Sequence, residues 1–185
     1  MKLKKITFCL WLILVTGVIA TYLFFPEKLS PSFLEEAVIN HPFETLVIYY
    51  LIISLKGLTL IPATPFLFAG ILIFNPEEVF IVNMAGIMTS TIIVYYFSKY
   101  LEFDVYFETK YSKYTHKLSA RLNDKELPII IIWSFLPPAP TDLIVYVAST
   151  LRINVFKCLL GVFIGEAIIN AFYIISVTLL LKGNL

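Results

Sequence analysis

Apolar residues in this chain come in long unbroken runs, not in the three-and-four spacing of a soluble helix or the alternation of a half-buried strand. Residues 6–25 are about twenty positions without a charge, enough to cross a bilayer as a helix. Residues 1–25 therefore read as a cytoplasmic tip and a transmembrane anchor. The basic start Met1-Lys-Leu-Lys-Lys5 and the small residues Val18-Ile-Ala20 also fit a cleaved signal peptide. The run continues through Tyr22-Leu-Phe-Phe25, longer than a usual signal core, which favours the uncleaved anchor. Residues 26–43 are polar and acidic. Ser30, Pro31 and Ser32 open a short helix with one apolar side (Phe33, Leu34, Ala37, Val38, Ile39), expected to lie on the external membrane surface.

The next apolar run starts at Glu44 and stops at Lys56-Gly57, about 18 Å as a helix and too short to span. Pro62-Ala-Thr-Pro65 follows, then a second short run ending at Phe74. Residues 44–74 thus predict a re-entrant hairpin, with a single kinked spanning helix as the alternative. Asn75-Pro76-Glu77-Glu78 is a strong helix start, and residues 76–100 predict a spanning helix. Residues 101–127 form the longest hydrophilic stretch. Tyr106, Phe107, Tyr111 and Tyr114 at helical spacing predict an interfacial helix there. A second broken hairpin is expected over 128–151, interrupted at Phe135-Leu-Pro-Pro-Ala-Pro-Thr-Asp142. A last spanning helix is expected over 154–182.

The two halves match. Pro62 and Pro65 correspond to Pro137, Pro138 and Pro140, and Ala69-Gly70 corresponds to Ala148-Ser149. Each broken segment is followed by a helix with small residues early: Gly86 and Ser90 in one, Gly161 and Gly165 in the other. Lys and Arg concentrate at the N-terminus and in 101–127, so both should be cytoplasmic. The hairpins then enter from opposite sides. Inverted repeats whose broken segments meet at midplane are a transporter architecture. The expected fold is an all-α membrane protein: an N-terminal transmembrane helix, then an inverted repeat of two re-entrant hairpins, each followed by a transmembrane helix.

Composition agrees. The chain of 185 residues is 59% hydrophobic and 15% charged, against roughly 25% charged in a soluble domain. A net charge of +1 predicts no nucleic-acid partner. Cys9 and Cys158 read as small buried hydrophobes, and His41 and His116 lack ligand spacing, so neither a metal nor a cofactor is expected.

Three motifs carry a resemblance to the DedA/VTT superfamily, also called SNARE-associated Golgi protein-like. They are Pro62-Ala-Thr-Pro-Phe-Leu-Phe-Ala-Gly70; Gly86-xxx-Ser90-xxxx-Tyr95-xxx-Lys99; and Phe135 to Ala148, ending at Gly165-Glu166. The resemblance implies two facing re-entrant loops. It also implies phospholipid scrambling, or translocation of undecaprenyl phosphate or phospholipid with proton-dependent envelope homeostasis, in a bacterial inner membrane. The chain departs from the well-studied bacterial branch at Phe66 and Leu67, where that branch has an acid, and at Ser134, where it has an arginine.

Five residues stand out as a substrate or proton pathway. Lys56 ends a short helix below the surface, either capping free carbonyls or attracting a lipid phosphate. Asp142 either caps the outgoing arm of its hairpin or is a protonatable partner of Lys56. Glu166 is mid-helix, where no cap is needed, and should pair or relay protons in the bundle interior. Tyr95 and Lys99 fit an interfacial anchor, with a headgroup role implied by the resemblance. No glycine-rich phosphate loop, serine elbow or nucleophile–base pair is present, so no enzymatic activity is expected. The leading expectation is a lipid translocator or scramblase, with membrane lipids and protons as partners and small-residue faces that allow a homo-oligomer. An ion-coupled solute transporter and a non-transport envelope scaffold are the alternatives.

Overall fold

The structure is a computed structural model, and it describes residues 6–11, 13, 16, 41–122, 125–137 and 139–183. The described residues between 6 and 16 are helical. The rest of the expected anchor, and the expected external helix up to residue 40, lie outside the described residues.

From residue 41 on, the described elements are all helical: α1 (Pro42–Lys56), a 3-10 turn (Gly57–Thr59), α2 (Thr64–Ile73), α3 (Pro76–Tyr100), α4 (Phe103–Leu122), α5 (Glu126–Phe135), α6 (Thr141–Thr150) and α7 (Val155–Gly183). Two of them, α3 and α7, are long and apolar enough to cross a membrane. At the start of α3, the Glu78 carboxylate accepts the Asn75 backbone N–H at 3.3 Å, and Pro76 occupies the first turn, where its missing N–H costs nothing.

Two of the prolines, Pro65 and Pro140, act at helix starts, whereas Pro62 and Pro137 lie in the breaks themselves. Pro65 lies in the first turn of α2, and Pro140 is the residue just before α6. The first break is set by Leu60, held in the left-handed region at φ 59, with Pro62 just beyond it. Pro137 sits in the turn after α5, and Pro138 lies outside the described residues. Gly70 is not a turn residue. It lies inside α2, where a Cβ would meet the Tyr49 hydroxyl at 2.9 Å, so it lets α1 and α2 approach.

Packing repeats between the halves. α1 lies against α3, and α5 lies against α7. In each contact a glycine of the long helix receives an isoleucine of the short one. A Cβ on Gly86 would fall 2.7 Å from Ile53 Cγ2, and one on Gly161 would fall 2.6 Å from Ile130 Cγ2. Gly165 lies one turn further along, against Ile131 O and Ser134 Cβ. The halves also cross, with α6 on α3 and α2 on α7. The expected hydrophilic loop is largely the helix α4, whose Tyr111 departs from helical geometry (φ −131, ψ 33). It is tied to the turn after α6 by Arg152, bonded to Asp104 at 3.0 Å and Glu108 at 2.7 Å.

Polarity runs inside out. Phe156, Phe163, Phe172, Ile175, Leu179 and Leu180 of α7 face outward. Meanwhile Lys56, Asn83, Ser90, Ser134, Asp142, Glu166 and Asn170 are buried. A soluble chain would bury the first set and expose the second; hydrocarbon solvent reverses the preference. Cys158 is buried as expected from the sequence, whereas Cys9 is exposed.

Candidate functional site

Lys56 is the last residue of α1, and its stripe mates Thr45, Tyr49 and Ile53 point the same way into the bundle. Its ammonium donates to Asp142 Oδ2 at 2.6 Å, with both side chains less than 5% exposed. Ser90 of α3 donates to the other carboxylate oxygen at 3.1 Å. Asp142 lies in the first turn of α6, which has no side-chain cap bond. Of the two readings the sequence offered for Asp142, a cap or a partner of Lys56, the geometry gives the partner. Gly57 makes room for it: a Cβ there would overlap Ser90 Oγ and Asp142 Oδ1.

Glu166 belongs to a second, separate set. Thr141, immediately before Asp142, donates to Glu166 Oε1. Asn170, one turn on in α7, donates to Oε2 at 2.9 Å and to the Glu166 carbonyl at 2.7 Å. Asn83 of α3 donates to Asn170 Oδ1, and Tyr49 of α1 donates to Asn83 Oδ1 at 3.1 Å. Every donor in this row is aimed along it towards the Glu166 carboxylate. Each bond polarises the next in a low-dielectric interior. The row cannot pass protons easily, because two amide side chains interrupt it. It fixes the carboxylate in place.

Glu166 also faces a cleft between the two helix breaks. Pro62, Ala63 and Thr64 line one side, Leu136, Pro137, Ala139 and Thr141 the other, and Ser134, Asn170 and Tyr173 close it. The cleft is narrow, about 20 Å³, roughly the room of one water-sized group. Among the described lining residues Glu166 is the only charged one. Trp133 braces the second break by donating its indole N–H to the Pro140 carbonyl at 3.3 Å. Ser134 Oγ is buried without a hydrogen-bond partner.

Of the five expected pathway residues, Lys56, Asp142 and Glu166 come together through the adjacent Thr141 and Asp142. Tyr95 and Lys99 do not join them. Tyr95 is buried and donates to the Ile153 carbonyl at 2.6 Å, and Lys99 rests over its ring at 5.1 Å, exposed. Tyr95 thereby braces α3 against the turn before α7. Sequence reasoning gave no role to Tyr49, Asn83 or Thr141. Asn83, a lone amide in the apolar run of a spanning helix, was the readable signal.

In comparison with known proteins, the family model described as VTT domain matches residues 61–179. That stretch holds Pro62, the second helix break, α3, most of α7, Asp142 and Glu166, and leaves out α1 with Lys56. No curated protein and no solved structure matches the chain.

Proposed function

Because the chain belongs to the VTT domain family, the DedA and SNARE-associated Golgi protein-like superfamily, we propose that it moves lipid across a bacterial inner membrane without chemical conversion. The observation that carries this reading is the polar cleft between the two helix breaks, with a buried carboxylate at its wall, inside a bundle whose outer surface is apolar. A headgroup crossing hydrocarbon needs such a polar path, while its acyl chains stay in lipid outside. On this reading the two broken segments are re-entrant hairpins of an inverted repeat. The matched glycine–isoleucine contacts and the crossed packing of the halves support that symmetry. The basic N-terminus and α4 face the cytoplasm by the Lys and Arg rule. Phospholipid and undecaprenyl-phosphate-type lipids are both substrate candidates.

The roles of the charged residues divide. Lys56 and Asp142 neutralise each other and lock the halves together, while Glu166 faces the path. Purified protein in phospholipid vesicles should move labelled phospholipid, or undecaprenyl phosphate, between leaflets faster than empty vesicles do. Glu166→Gln should remove that activity. Vesicles with the protein that equilibrate no faster than empty ones with either lipid would overturn the reading.

Proton- or ion-coupled solute transport is favoured by the same buried carboxylate, and it predicts flux that follows an imposed ion gradient. A purely scaffolding protein predicts a bound membrane partner and no flux.

A further inference from the structure

The buried charges do not balance. Lys56 is committed to Asp142 at 2.6 Å, which leaves Glu166, itself only 5% exposed, with no cation of its own among the described lining residues of the cleft. Burying a charge in a low-dielectric interior is costly unless something compensates it. The bonds from Thr141 and Asn170 hold the carboxylate in place, but they bring no positive charge.

A second, independent observation points to the same place. Ser134 is 3% exposed, its hydroxyl has no partner, and it lines the cleft with Glu166. It packs against Gly165, the residue next to Glu166. A buried hydroxyl is costly to leave without a hydrogen bond. Uptake of a proton by Glu166 would also cancel the charge, and it predicts no saturable binding of a cation. A phosphate would meet a carboxylate and no cation. A small positive ion in the cleft would meet both groups at once, since carboxylate and hydroxyl oxygens coordinate hard cations and accept hydrogen bonds from ammonium groups.

We propose that the cleft binds one compact monovalent cation, an alkali metal ion or a primary ammonium, on the Glu166 carboxylate with the Thr141 and Ser134 hydroxyls as further oxygen ligands. The inference rests on the reading of this cleft as the transport site. It deepens that reading by assigning the sign of the group that enters. A sodium ion would be a coupling or structural ion; an ammonium would be the headgroup of an amino-phospholipid.

Titration calorimetry on the full chain in maltoside micelles, with choline as the only background cation, tests the proposal. The titrants are sodium chloride, ethanolamine hydrochloride, choline chloride and tetramethylammonium phosphate, and Trp133 fluorescence gives a second readout beside the cleft. Sodium, ethanolamine or both should bind saturably. Choline, which has no N–H and is bulky, and phosphate should not. Sodium alone identifies the ion, and ethanolamine alone identifies the headgroup amine.

Glu166→Gln should weaken binding at least tenfold, and Ser134→Ala about three- to tenfold. Should Glu166→Gln fail to fold, Ser134→Ala decides the point, with circular dichroism and melting confirming its fold. No saturable binding of either cation, unchanged affinity in a folded variant that decides the test, or saturable phosphate binding would overturn the proposal. Cation binding without lipid movement would sink the translocator reading and leave this site standing. Lipid movement without cation binding would do the reverse.

Discussion

Lys56 Nζ and Asp142 Oδ2 stand 2.6 Å apart and join two halves of the chain that are 86 residues distant in sequence. One partner ends the helix before the first break and the other starts the helix after the second. The pair is buried and is flanked by Ser90 and the backbone at Gly57. A buried pair of this kind fixes how the halves sit together and leaves neither charge available to a passing headgroup.

Removing one member should therefore be worse than removing both. Lys56→Met should destabilise the protein by about 3–5 kcal/mol, because Asp142 is left buried and unpaired. Lys56→Met combined with Asp142→Leu should recover most of that loss. Thermal unfolding in detergent of the two single variants and the double variant measures the coupling. A double variant no more stable than the worse single would contradict the assignment.

Gly57 is expected to tolerate no side chain. Gly57→Ala places a methyl group against Ser90 Oγ, Asp142 Oδ1 and Val94 Cγ2, and should cost about 1–3 kcal/mol through overpacking. Combining it with Ser90→Gly should relieve part of the strain, visible as a partly recovered melting temperature.

The repeated glycine–isoleucine contacts make a paired prediction. Gly86→Ala and Gly161→Ala should each destabilise by about 1–3 kcal/mol. Each should be rescued by Ile→Ala only at its own contact, Ile53 for Gly86 and Ile130 for Gly161. Cross rescue, read by thermal melting of the four double variants, would mean that the contacts are not separate.

At Glu166 the isostere and the apolar replacement should part company. A glutamine can turn its oxygen to Asn170 and its amide to the Thr141 hydroxyl, so Glu166→Gln should fold while losing transport. Glu166→Leu leaves both partners unsatisfied and should cost about 1–3 kcal/mol for each buried group left without a bond. Yield of monodisperse protein and its melting temperature distinguish the two.

Asn83 should act through Asn170 and not through lipid. Asn83→Leu removes the bond that orients Asn170 and leaves Tyr49 without its acceptor, so stability should fall by about 1–3 kcal/mol. Transport should fall less than in Glu166→Gln. Vesicle assays normalised to folded protein provide the comparison.

The sequence by itself determined the all-helical membrane character, the two long helices and the places where shorter helices break. Those signals are local: an unbroken apolar run is long enough to span or it is not, and a proline at Pro65 or Pro140 ends one helix or opens the next whatever lies around it. It also marked Lys56, Asp142 and Glu166, because a charge in an apolar run stands out in one dimension. Tertiary structure decided what each of them does. Asp142 reads from the sequence as a cap or as a partner of Lys56, and only the placement of α1 decides between them; that the Ser134 hydroxyl is buried follows only from how α5 meets α7. The row from Tyr49 through Asn83 and Asn170 to Glu166 crosses three helices, so no spacing along the chain encodes it. A buried polar group is defined by its partners, and the partners here are chosen by how the helices of the two halves pack in space.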